Sequence, residues 1–170
     1  MQDVFVEYMV AQRKTPKTTL LKALIVVAFI VLAPSFLMFS HLLGPLSFLG
    51  ALFFVGGGYC AYFFIISMNL EFEYTITNGE MDVDKIIAQR RRKRLMSIKL
   101  REVEAFGRYV PDEHANKNYE SMIFACDCPF NPELWYCQKG RMLLVFNAND
   151  KMLDAIKKFL PGPILREAFK

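Results

Sequence analysis

ALIVVAFIVLAPSFLMFSHLLGPLSFLGALFFVGGGYCAYFFIISMNL, residues 23 to 70, contains no Lys, Arg, Asp or Glu. Within it, Ala23 to Leu43 and Leu46 to Asn69 are two uncharged runs, each longer than the roughly 20 residues a helix needs to cross about 30 Å of hydrocarbon. Between them stand only Gly44 and Pro45, a pair that breaks a helix and reverses the chain. So short a connection makes the two helices antiparallel neighbours, because inside lipid each helix must satisfy its own backbone hydrogen bonds. A helix of a soluble core seldom stays apolar all round for this length, twice in succession. The expectation is a transmembrane helical hairpin over residues 20–69, with spans of about 20–43 and 46–69 and a kink at Pro34.

Cations flank this hairpin on one side. Arg13, Lys14, Lys17 and Lys22 precede the first span; Lys85 and the run Arg90, Arg91, Arg92, Lys93, Arg94 follow the second; the turn carries only His41. The positive-inside tendency then places both termini in the cytoplasm of a multi-pass cell-membrane protein. Lys22 can return its ammonium to that surface along its alkyl stem, and His41 reads as a solvated turn residue. Gly50, Gly57 and Ala61 recur on one face of the second span, a small-residue pattern that lets helices approach closely. That face is expected to pack on the first helix, and homo-oligomerisation through it stays open.

Over the whole chain of 170 residues, 54% are hydrophobic and the net charge is +4. The apolar excess lies in the hairpin, and the rest has the composition of a soluble domain. The modest positive charge is clustered rather than spread, which does not by itself point to nucleic acid. Of four cysteines, Cys60 lies within a span and leaves Cys126, Cys128 and Cys137 as an odd set, against a disulfide framework and in favour of a reducing compartment. Met1 to Gln12 carry Asp3 and Glu7 and lack a signal-peptide pattern, and residues 1–19 read as a cytoplasmic segment. In it Val4, Phe5, Tyr8 and Met9 share one side at helical spacing behind Asp3 as N-cap, which reads either as a short interfacial helix or as a frayed terminus.

Beyond Asn69 the period becomes two. Phe72, Tyr74 and Ile76 alternate with Glu71, Glu73, Thr75 and Thr77, Asn78-Gly79 supplies a type I′ hairpin turn, and Met81 and Val83 face inward on the return strand. The polar run Gln89 to Arg94 reads as a second turn before a third strand with Met96, Ile98 and Leu100. Further strands are expected at Ser121–Cys126, Leu134–Gln138 and Arg141–Phe146, with a polar loop over Tyr109–Glu120. Asn149 then caps a helix carrying Met152, Leu153, Ile156, Phe159 and Leu160, which Pro161 stops. The fold class is an α+β membrane protein: a transmembrane hairpin followed, over residues 70–170, by an antiparallel β domain closed by a C-terminal helix.

Glu73-Tyr-Thr-Ile-Thr-Asn-Gly-Glu-Met-Asp-Val-Asp84, Arg92-Lys-Arg-Leu-Met-Ser-Ile98 and the helix after Asn149 resemble the bacterial pleckstrin-homology-like (PH-like) domain. With the opening Met1-Gln-Asp-Val-Phe-Val-Glu-Tyr8, the same block resembles an uncharacterised Gram-positive family of two-span membrane proteins. Neither resemblance supplies a catalytic residue.

Arg90, Arg91, Arg92, Lys93 and Arg94 are the candidate lipid-surface residues. A strand leaving the membrane at Leu70 and its return strand bring this run back to headgroup level, where each cation contributes about 1 kcal/mol against an anionic leaflet. The plainer reading is a solvated hairpin tip serving only the positive-inside rule. Nucleic acid is disfavoured because no aromatic interleaves these cations to stack bases. Cys126-Asp-Cys128 with Cys137 and His114 lacks the C-x-x-C spacing of zinc sites, and Asp112, Glu113 and His114 are adjacent loop residues rather than a convergent acid-base set. The expectation is a non-enzymatic anchored interaction module without cofactor or metal, whose partners are anionic lipid and a protein. The alternatives are a subunit of a small transporter or channel assembly and a small membrane enzyme.

Overall fold

The structure, a computed structural model, describes residues 4–169 apart from the side chain of Leu43. The chain forms two compact units, and the division is not sequential: one holds residues 14–69, the other the segments up to Arg13 and from Leu70 onward.

The helical unit consists of α1 (Pro16–Ser40), a 3₁₀ segment over His41–Leu46 and α2 (Phe48–Ser67). Pro16 occupies the first turn of α1, where its missing N–H costs nothing, and Pro34 lies inside α1 without ending it. Gly44 makes the reversal at φ 56° and ψ −117°, a conformation that suits glycine. Phe29 meets Phe54 and Phe36 meets Phe53 in tilted ring pairs, with centroids 5.6 and 4.7 Å apart. At the open end Lys22 Nζ donates to Asn69 Oδ1 at 2.7 Å. Both helices are long and apolar enough to cross a membrane, and only 6% of the most apolar stretch of each is buried.

The second unit is a two-sheet domain. β1 (Phe5–Ala11), β2 (Leu70–Thr77), β3 (Glu80–Ile87) and β4 (Arg91–Lys99) form one antiparallel sheet in the order β1-β2-β3-β4. The interfacial-helix reading of the N-terminal segment is therefore corrected: Phe5–Ala11 is a strand paired along its length with β2, Phe5 opposite Thr77 and Ala11 opposite Glu71. The spacing of Val4, Phe5, Tyr8 and Met9 fits a helix, but Val4, Val6, Tyr8 and Val10 also alternate, and they pack on the core. Asp3, the expected cap, lies outside the described residues. The helical hairpin is thus an insertion between the first two strands of the domain, and residues 70–170 are not a domain by themselves.

β5 (Ala105–Arg108), β6 (Ser121–Ala125), β7 (Trp135–Lys139) and β8 (Met142–Phe146) form the second sheet, in the order β5-β7-β8-β6. β6 lies parallel to β8, so this sheet is mixed rather than purely antiparallel. Between β5 and β6 the expected loop contains one helical turn, α3 (Pro111–His114). α4 (Asp150–Lys157) begins as read, with Met152 N–H donating to Asn149 Oδ1 at 2.8 Å. Pro161 then opens a further short helix, α5 (Gly162–Ala168), in place of a simple stop.

Tyr74, Ile76, Met81, Val83 and Ile98 from the first sheet meet Phe106, Cys137, Leu144 and Phe146 from the second and Met152 and Ile156 from α4 in one buried core. Leu143 and Val145 point the other way, into a smaller cluster with Tyr109, Cys126 and Leu134. A strand buried on both faces reads as a continuous apolar run, which Met142-Leu-Leu-Val-Phe146 is. The core residues of the first sheet lie on its inner face, and its outer face carries Glu71, Glu73, Asp82, Asp84, Arg92 and Arg94, whereas Lys85 and Lys93 continue the inner-face row of Phe72 toward the sheet edge.

Candidate functional site

On that outer face strand register sets Met9, Glu73, Asp84 and Arg94 in one cross-strand row, with Ala11, Glu71, Ile86 and Arg92 in the next. A bulge beside Val83 and Asp84 creates the alignment, because Val83 faces Met96 while Asp84 faces Arg94 and Leu95 is left over. The extra residue turns the polar end of β4 over to the acidic side chains, as bulges do when they re-aim a strand.

The five basic residues therefore do not form a single turn. Arg90 alone follows the two-residue turn Ala88-Gln89, and Arg91 to Lys99 are strand. Arg92 Nη2 lies 2.8 Å from Glu73 Oε2, an ion pair not aligned as a hydrogen bond. Arg94 spans two partners, Asp82 at 3.0 Å and Asp84 at 2.9 Å. Glu73 and Asp84 are 3% and 7% exposed, so Arg92 and Arg94 serve first to compensate acids withdrawn from water. Burial, followed by the hydrogen-bonded carboxyl of Glu7, raises the Glu73 pKa, and Arg92 opposes that rise.

Among the described residues Arg90, Arg91, Lys93 and Lys85 form no ion pair. Lys85 and Lys93 stand directly opposite each other, a like-charge arrangement that is unfavourable without an anion nearby. β4 is also an edge strand, and exposed cations and a bulge are what keep such an edge from pairing with another chain. A second copy docking on this edge would bring two basic runs together.

The location of these cations follows from register. Leu70 is opposite Ile87, and Ile87 opposite Arg91; Ala11 is opposite Glu71, and Gln12 N–H donates to Leu70 C=O at 2.9 Å. The sheet end carrying Arg90 and Arg91 is the end at which the chain leaves for α1 and returns from α2. The turn there is strained, with Ala88 and Gln89 at φ 55° and 56°, a region costing a residue with a Cβ about 1–2 kcal/mol. Gln89 Nε2 donates to Glu71 Oε1 at 3.0 Å and helps hold the turn. Met9, Glu71, Ile86, Gln89, Arg90 and Arg92 line a hollow of about 470 Å³ beside it.

Arg13, the last residue before the helical unit, is fastened twice to the loop after β6. Its N–H donates to Asp127 C=O at 2.9 Å and its Nε lies 3.2 Å from Asp127 Oδ2. Asp127 also accepts from Asn147 Nδ2 at 2.9 Å and Asn131 Nδ2 at 3.2 Å. Burial works to raise its pKa, but the bonds from Asn147, Asn131 and the Cys128 N–H, together with Arg13, win and lower it.

The cysteines do not converge. Cys126 belongs to the smaller cluster and Cys137 to the main core, and burial pushes both thiols up to about 12. His114 is buried among Tyr109, Tyr119 and Tyr136, with Nδ1 2.7 Å from the Tyr119 hydroxyl. Among the described residues no group of three or more His, Cys, Asp or Glu comes together as metal ligands do.

In the helical unit Gly50 and Gly57 face α1. A Cβ on Gly50 would stand 2.5 Å from Ser40 Cβ and closer still to its Oγ, and one on Gly57 would meet Phe29 at 3.5 Å. Ala61 lines an apolar groove of about 280 Å³ with Gly57, Ala28, Phe29, Leu32 and Phe53.

Two facing sheets with a C-terminal helix on the core fit a PH-like domain, here with an apolar hairpin inserted after the first strand. The chain matches the family model described as Bacterial PH-like domain (DUF6106) over residues 2–166 and belongs to that family. No curated protein and no solved structure matches it.

Proposed function

We propose that this protein is a membrane-anchored, non-enzymatic interaction module. The hairpin spans the bilayer, both termini lie in the cytoplasm, and Arg90, Arg91 and Lys93 rest on anionic headgroups while the outer sheet face binds a protein partner. One observation carries this reading: within the basic run, the three residues that form no ion pair among the described residues, Arg90, Arg91 and Lys93, lie toward the sheet end from which the chain passes into the two apolar helices. Arg92 and Arg94 are assigned to the fold instead, since Glu73, Asp82 and Asp84 already hold them.

The test uses a soluble form in which residues 14–69 are replaced by a short turn joining Arg13 to Leu70. Its sedimentation is measured with vesicles of phosphatidylglycerol and phosphatidylcholine. Changing Arg90, Arg91 and Lys93 to Gln removes three cations worth about 1 kcal/mol each, so affinity falls about 100-fold, and binding by the parent weakens as salt rises. Equal binding by parent and triple variant refutes the headgroup assignment.

A further inference from the structure

Phe130 is 89% exposed, more than any other large apolar side chain among the described residues, those of the two apolar helices included. A solvated aromatic is ordinarily a single tolerated exception, but the segment that carries this one is built to hold it in place. It sits between Pro129 and Pro132 in Cys128-Pro-Phe-Asn-Pro132, and two fixed φ angles reduce the freedom such a loop has to lose. Asn131 Nδ2 donates to Asp127, and its Oδ1 accepts from Glu133 N–H at 3.0 Å. At the base of the loop Asp127 N–H donates to Asn147 Oδ1 at 2.8 Å, and the Tyr74 hydroxyl donates to Ala125 C=O, joining the two sheets. None of this buries the ring.

The same loop holds the exit point of the chain. Arg13 is bound to Asp127 through backbone and side chain, and Lys14 already belongs to the helical unit. Three residues of extended chain span at most about 11 Å, so Phe130 lies within that distance, Cα to Cα, of the residue on which the exit is fastened. If α1 enters a bilayer within a few residues of Arg13, that distance is comparable to the headgroup region.

We propose that the Cys128–Pro132 loop is a second membrane contact, in which Phe130 inserts into the boundary between headgroups and acyl chains. Apolar side chains such as Trp, Phe and Leu bury to that boundary when a peripheral segment lies on a bilayer, and removing an exposed Phe ring from water is favourable there. Arg90, Arg91 and Lys93 supply long-range attraction and the ring a short-range, salt-insensitive hold. This inference rests on the anchoring reading proposed above, and its test separates the two.

The experiment places the full chain, with Phe130→Trp, in vesicles of phosphatidylglycerol and phosphatidylcholine. The native Trp135, 4% exposed and the sole tryptophan, gives the background in the parent chain. The expected result has three parts: the added emission is shifted to the blue, it is quenched more by lipids brominated near the headgroup end of the acyl chain than by deeply brominated ones, and it is shielded from acrylamide. Unchanged Trp135 emission in a Phe130→Ser chain confirms that the loop substitution leaves the domain folded. If the chain resists alkaline carbonate extraction but the added Trp is quenched by acrylamide and not by brominated lipid, the loop proposal is overturned and the anchoring stands. Release by carbonate overturns both.

Discussion

Asp127→Ala tests the latch that ties the chain's exit to the second sheet. The carboxylate of this 9% exposed residue accepts from Asn147 at 2.9 Å and from Asn131 at 3.2 Å, and lies 3.2 Å from Arg13 Nε. A hydrogen bond to a charged group contributes about 1.5–3 kcal/mol. The Asn131 bond is long and that side chain can turn to water, so the two amides together contribute about 2–3 kcal/mol. The Arg13 pair adds little, since that guanidinium is 74% exposed and exposed pairs are worth about 0–1 kcal/mol. For a domain of this size each kcal/mol moves the midpoint by about 4 °C, giving a loss of about 8–12 °C. Trp135 lies in the domain core and not in the hairpin, so its fluorescence in detergent-solubilised full chain follows the domain alone. Asp127→Asn, keeping shape and one acceptor, loses less. Because the folded carboxyl is held below its ordinary 3.8, its contribution is present above that pH and is lost as pH falls through the folded value. The Asn variant lacks this dependence. A midpoint for Asp127→Ala shifted by less than the ~0.5 kcal/mol of an ordinary surface substitution refutes the latch.

Other consequences are equally direct. Joining Arg13 to Leu70 by a short turn yields a soluble, cooperatively unfolding domain, whereas a chain beginning at Leu70 exposes the β2 edge, loses the cover of Val6, Tyr8 and Val10 and aggregates; size-exclusion chromatography distinguishes them. Gly50→Val overpacks the α1–α2 contact against Ser40 by about 1–3 kcal/mol, while Gly56→Val, where a Cβ meets nothing within 4 Å, is neutral; SDS titration of the helical circular dichroism reads the difference. Burial, helped by Lys117, lowers the His114 pKa below 6.5 against the opposing pull of Glu113. The unfolded chain therefore binds this proton first, and stability present above pH 6.5 falls as pH drops. His114→Phe, which keeps the packing against Tyr136, flattens the midpoint of Trp135 unfolding between pH 6.5 and 5; an unchanged slope contradicts the assignment.

What the sequence discloses follows from how local its signals are. The hairpin is legible because a charge-free run needs no partner to be recognised, and Asn78-Gly79 and Asn149 carry their own turn and cap chemistry. β1 is not legible, because its spacing fits two periods and the strand that decides between them, Leu70–Thr77, follows the entire hairpin. The turn at Ala88-Gln89 lacks the Gly or Asn that positive φ calls for, so the chain reads as reversing later, over Gln89 to Arg94. Displacing that turn hides the partition of the basic residues: only the β3–β4 register, with its bulge, shows Arg92 and Arg94 beside buried acids and leaves Arg90, Arg91 and Lys93 unpaired. α5 is missed for a similar reason. Proline ends one helix and opens the next with equal ease, and its role at Pro161 depends on what Ile164 and Leu165 can pack against.

The reading proposed above has a bilayer-spanning hairpin inserted between the first two strands of a domain held on one side. Protease treatment of sealed membrane vesicles with the domain side outward tests it most directly. The expected result is a single protected fragment covering residues 14–69, resistant to carbonate extraction and cut at both ends from the same side. Complete digestion, or two protected fragments divided near Gly44, contradicts it.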